Sequence, residues 1–302
     1  MKSFEEFKEI LREEVAKRVE GEIATVTMTK NNGVKLDALS VKSKSSNIAP
    51  VIYLGNYYNE YSKGRSIESI VDSIVFTARS ESNVNIDIVS DFMDFNKIRD
   101  SIEIKLINRD KNMELLSGAP YVEFLDMAIV FIVNVALEED EGKATVLITN
   151  SHVNMWGIAK EELNDIAKKN SLKNNPAVIK NMTDIIRELY IDRFGDDEET
   201  CAMIDSMDYD MYVMTNKNKF YGAATITYEK VLKDFANSNN CNLYILPSSI
   251  HECILILEKY AMSVQELREM VQSVNSTEVS DEEVLSDNVI YYDRNSNKIT
   301  IA

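Results

Sequence analysis

Leu243-Tyr-Ile-Leu-Pro-Ser-Ser-Ile-His-Glu-Cys-Ile-Leu-Ile256 brings together a buried-strand pattern, a Pro-Ser-Ser turn and one of only two histidines in the chain. Short unbroken apolar runs bounded by turn residues read as strands buried on both faces. The hydroxyls of Ser248 and Ser249 suit a turn in which they bond local backbone amides. Chemistry anchored anywhere in this chain is expected at that turn.

Working outward, Ser263 and Glu266 form a capping box for a helix with Leu267, Met270, Val271 and Val274 on one face. The chain closes with a hairpin, 289–292 against 298–301, turned by Asp293 to Asn297. Upstream of the opening stretch, strands are expected at 211–215 and 221–227, followed by a helix to about Ser238. Residues 195–210, rich in Asp and Glu, read as an acidic loop. A helix from Lys160, one capped by Thr183, a strand end at Asn150 to Trp156, and paired strands at 127–137 and 144–148 around the acidic turn Glu138 to Gly142 fill the middle. At the start, Ser3 and Glu6 cap a helix carrying Phe4, Phe7, Leu11 and Val15. Alternating residues on either side of Asn32-Gly33 then signal a hairpin, because Asn-Gly accepts the positive φ of a type I′ turn. A third strand begins at Val51, a helix from Ser66 carries an apolar stripe, and a half-exposed strand at 102–106 closes the lobe. Strands and helices mix without strict βαβ alternation. The expected fold is therefore α+β, with mainly antiparallel sheets flanked by helices, in two lobes at 1–110 and 111–302.

Thirty-three basic against fifty acidic side chains give a net charge of -17. Such a field repels phosphate backbones and anionic membrane surfaces, which argues against nucleic acid and membrane as partners. The longest apolar run, from Met127, is too short to span a bilayer and is interrupted by Asn134. With no apolar core at the start and three cysteines (Cys201, Cys241, Cys253) in no zinc-like spacing, a cytoplasmic setting with free thiols is expected.

His251-Glu252-Cys-Ile-Leu255 opens like a zinc-protease motif, but leucine stands where the second histidine is required, and the segment alternates like a strand. His152, His251 and Glu252 would make a looser metal site only if distant segments converged. Ser249 beside His251 invites a nucleophile reading, yet no Gly-x-Ser-x-Gly elbow exists. No phosphate-cradling glycine motif is present, so no nucleotide cofactor is expected. The spacing of Asp205, Asp208 and Asp210 fails as a calcium loop, with Val213 and Lys219 where glycine and glutamate are needed. Met203, Met207 and Met211 read as a core stripe ahead of a soft-metal site. Tyr53, Tyr57, Tyr58 and Tyr61 serve either lobe packing or docking.

Lys30-Asn-Asn-Gly-Val-Lys-Leu-Asp37, Leu147-Ile-Thr-Asn150, Met155-Trp-Gly157, Tyr212-Val-Met-Thr-Asn216, Tyr221-Gly-Ala223, Leu246-Pro-Ser-Ser-Ile-His-Glu252 and Leu285-Ser-Asp287 give the chain a further character. Together they resemble an uncharacterised domain-of-unknown-function family of anaerobic gut bacteria, over nearly the whole length. The resemblance implies no activity and transfers no catalytic residue. The expectation is a non-enzymatic binding or accessory protein whose partner is a protein or a small ligand, with no cofactor and no metal. The rival is a hydrolase or metal-dependent enzyme with a site around His152 and His251, using Ser249 and Glu252.

Overall fold

In the computed structural model of the chain, which describes residues 1–43, 49–81, 91–135, 144–207 and 210–302, the first helix starts where its capping box demands. The Ser3 hydroxyl accepts the Glu6 N–H and the Glu6 carboxylate accepts the Ser3 N–H, so two otherwise orphaned donors are satisfied. The helix Phe4–Ala16 buries Phe7, Leu11 and Val15 completely. Each is worth roughly 1.5–3 kcal/mol of hydrophobic burial. They meet a three-stranded antiparallel sheet, β1 (Gly21–Thr29), β2 (Lys35–Ser43) and β3 (Val51–Tyr53), and the helices Gly55–Ser62 and Ile67–Glu81. Asn32 and Gly33 both take positive φ, 61° and 71°, at the hairpin tip. The Lys30 N–H reaches the Val34 carbonyl at 2.7 Å, so the connection is one residue longer than a two-residue turn. Tyr58 and Tyr61 lie against Phe4 and Phe7, with Phe7 stacked on Tyr61 at 5.2 Å. Tyr57, Tyr58 and Tyr61 are thus part of the packing of this unit.

The first unit spans Met1–Phe92 and the second Met93–Ala302. The expected boundary near 110 therefore moves upstream, for a topological reason. The strand β4 (Ile102–Asn108) pairs along its whole length with β6 (Met127–Val135), in the second unit, instead of closing the first. It is also mostly buried rather than half-exposed. β6 is the centre of a four-stranded sheet: β4 occupies one edge, while β5 (Tyr121–Phe124) and β7 (Ala144–Leu147) share the other. The acidic turn 138–142 lies outside the described residues. A six-stranded sheet, in the order β13-β12-β10-β11-β9-β8, is built from β8 (Ala177–Asn181), β9 (Met211–Asn216), β10 (Leu243–Leu246), β11 (Cys253–Leu257), β12 (Ile290–Asp293) and β13 (Lys298–Ile301). Every strand pairing among the described residues is antiparallel, and the fold is α+β. Leu267 and Val271 of the helix Val264–Thr277 pack on Leu246, Ile256 and Val289 of the larger sheet's unit.

Four segments depart from expectation. Asn150–Trp156 is a helix, because Thr149 and His152 form a capping box and Gly157, at φ 66°, ends it. Gly222–Thr227 is a 3₁₀ segment, since Thr225 and Thr227 donate their hydroxyls back to the Gly222 and Ala224 carbonyls, a local alternative to a sheet ladder. Within the expected acidic loop, Glu198–Asp205 is helical: Asp197 caps it, and Glu198 and Glu199 complement the positive end of the helix dipole. Asn181, not Thr183, caps Met182–Phe194. No helix among the described residues is long and apolar enough to cross a membrane.

Candidate functional site

β4 is an edge strand, and the helix Lys160–Asn174 covers that edge with side chains: Ser171 Oγ accepts the Ile104 N–H at 2.9 Å, and Asn170 donates to the Ile102 carbonyl at 3.0 Å. The register sets Glu103 opposite Ile132, so Glu103, Ile132 and, two residues on, Asn134 share one face of the sheet. Over that face, the end of the helix, the β9 terminus and the 3₁₀ segment leave a cavity of about 200 Å³. Five asparagines line it, namely Asn134, Asn174, Asn175, Asn216 and Asn218, together with Glu103, Ser171, Phe220, Tyr221 and Tyr228.

The polar lining is organised around the Glu103 carboxylate, which is 7% exposed. Asn174 and Asn175 each donate an amide N–H to it, on separate oxygens. Asn218 in turn donates to the Asn175 carbonyl. Asn216 holds the turn by bonding both the N–H and the carbonyl of Phe220. Tyr228 is buried, and its phenol is pushed above the ordinary range by desolvation and by the Glu103 charge, against a hydrogen bond with Ser171. It therefore stays a neutral donor. Amides that both donate and accept, one carboxylate and aromatic rings form a surface for recognising a small polar molecule.

The residues singled out from the sequence are placed differently. His251 Nδ1 accepts the Tyr221 N–H at 3.2 Å, while Nε2 lies 3.3 Å from Glu283 Oε1, and the ring stacks on Tyr221. Both ring nitrogens thus have partners, which removes the free lone pair a general base needs. Ser249 Oγ accepts the His251 N–H at 3.0 Å, the turn use its residue type favours. Glu252 is exposed, and Cys253 is buried with its thiol pushed far up by desolvation. His152 Nδ1 accepts the Thr149 N–H at 3.1 Å in the capping box, the ring lies beside Trp156, and burial lowers its pKa. Neither histidine lines the cavity.

Among the described residues no three His, Cys, Asp or Glu side chains stand together as a metal site, so His152, His251 and Glu252 do not converge on an ion. Asp208 lies outside the described residues. Met203 and Met207 are exposed, 56% and 40%, and so are not the expected core stripe, whereas Met211 packs on the larger sheet's core. Sequence reasoning passed over Glu103 and the asparagines. The available signal was an acid between Ile102 and Ile104 in an otherwise apolar strand, and the Asn174-Asn175 doublet.

With this geometry in hand, comparison with family models matches residues 4–294 to the family of unknown function DUF5688. The chain belongs to that family. Neither the curated proteins nor the solved structures gave a match.

Proposed function

We propose that this is a non-enzymatic, small-ligand-binding protein of the cytoplasm whose seat is the asparagine-lined cavity over β4 and β6. The observation that carries this reading is the Glu103, Asn174, Asn175 and Asn218 chain, a buried polar network that opens onto a cavity instead of being closed over by apolar side chains. Three free, buried cysteines fit a reducing compartment. Hydrolase chemistry around His152 and His251 is less well supported, because Nδ1 of each ring is spent on a backbone N–H.

A thermal-shift screen of small polar metabolites against the wild type and Ala224→Leu tests the reading. Ala224 lines the cavity and is 4% exposed, so the larger side chain fills space a ligand would use. Compounds that stabilise the wild type are expected to lose their effect on Ala224→Leu. Equal stabilisation of both proteins by every active compound would contradict the reading.

A further inference from the structure

Glu103 has an unusual charge balance for a buried acid. Its two oxygens receive only neutral amide donors, and no Lys or Arg forms an ion pair with it among the described residues. Lys105 is the natural candidate, two residues along the same strand face. It is seated instead over the Tyr221 ring, 4.0 Å from the centroid. A carboxylate withdrawn from water is costly without a countercharge, and a partner that supplies one gains a charge-assisted hydrogen bond in a low-dielectric setting.

We propose that the occupant of the cavity is a small organic molecule bearing a primary ammonium, which sits against the Glu103 carboxylate with the Asn174, Asn175 and Asn218 amide groups around it. This rests on reading the cavity as a ligand seat. An ammonium has three donors and no acceptor, which suits one carboxylate and the carbonyl ends of neighbouring amides. Anionic ligands meet repulsion from Glu103. A divalent metal meets too few charged ligands, since one carboxylate with amides falls short of the sets such ions take. At long range the net charge of -17 raises the local concentration of cations and steers them inward.

Isothermal titration of the full chain with 1,4-diaminobutane and with 1,4-butanediol, its uncharged isostere, separates charge from shape. The diamine is expected to bind about tenfold or more tightly than the diol, the advantage of a charge-assisted over a neutral contact. In Glu103→Gln the ratio should fall to about twofold, with a native near-ultraviolet circular dichroism spectrum verifying the fold. A diol that binds as well as the diamine to the wild type overturns the proposal without recourse to any variant, as does absence of diamine binding. So does a preference that survives in folded Glu103→Gln. If the diamine fails while the screen still yields compounds that Ala224→Leu rejects, only the ammonium assignment falls. If the screen is empty as well, the cavity reading falls with it.

Discussion

A Cβ at Gly222 would stand 2.1 Å from Thr215 Oγ1 and 2.6 Å from both the Asn216 nitrogen and the His251 carbonyl oxygen. Two of those neighbours are backbone, and the third is tied down by its hydrogen bond to the His251 carbonyl at 2.8 Å. Gly222 therefore allows the 3₁₀ segment to lie directly on the β9 terminus, which carries Phe220, Tyr221 and Ala224 to the cavity wall. Tyr221, at φ 54°, takes the positive φ that this entry to the segment requires. Gly222→Ala is expected to lower stability by about 2–3 kcal/mol, the cost of overpacking a site that cannot relax. Chemical denaturation measures it, and an unchanged midpoint would show that the contact yields more easily than its backbone composition implies. At this scale the sequence was partly legible. Ser249 does place its hydroxyl on a local backbone amide, that of His251, but residues 247–249 lie alongside 283–286 instead of forming a turn, and the partners of His251 come from Tyr221 and Glu283, remote in the chain, which no local pattern reveals.

Elements were legible wherever capping and periodicity agreed. Ser3 with Glu6 and Ser263 with Glu266 fixed two helix starts, and the Asn-Gly tip fixed a hairpin. Misreadings fell where a short segment carries apolar residues that serve either state. Ala223, Ala224 and Ile226 are all buried, as in a strand, but threonine hydroxyls turn the backbone back on itself. Asn150–Trp156 hid its start because its capping partner is His152 instead of glutamate or glutamine. That substitution makes the helix pH-sensitive. Burial lowers the His152 pKa in the folded chain, so its contribution to stability is present in full above the unfolded value of about 6.5 and is lost as pH falls through the folded value. Protonation would also place a positive charge at a helix N-terminus and take the lone pair that holds the Thr149 N–H. His152→Gln keeps a capping acceptor that does not titrate. Its stability should fall less than that of the wild type between pH 7 and pH 5, and identical losses would contradict this assignment.

For the whole molecule, strands and helices mixing without strict βαβ alternation indicated an α+β fold, and the net charge argued against nucleic acid and membrane as partners, but the division of the chain escaped the sequence. Alternation in Ile102-Glu-Ile-Lys-Leu106 reports a strand and says nothing of which strand it joins. Its partner, β6, lies beyond the short helix Met113–Ser117 and another strand, and that pairing assigns residues 93–110 to the second unit. The cavity was illegible for the same reason, because it combines β4, β6, the end of Lys160–Asn174 and the β9 turn. Each unit has its own buried core, Phe7, Leu11 and Ile74 in one and Phe131, Leu255 and Leu285 in the other. The fragment 93–302 is accordingly expected to fold alone, with cooperative thermal unfolding and a native near-ultraviolet spectrum. A fragment that stays unfolded would show that its core depends on the first unit.

That the asparagine-lined cavity is a ligand seat is tested most directly by following side-chain amide resonances of the isotope-labelled protein during titration with a compound chosen by the Ala224→Leu screen. The NH₂ signals of Asn174, Asn175, Asn216 and Asn218 are expected to shift together with one saturation curve, while those of Asn275 and Asn288, which bond around Ser286 and Asp126, stay fixed. Saturable shifts at other sites with the cavity amides unmoved would contradict the account.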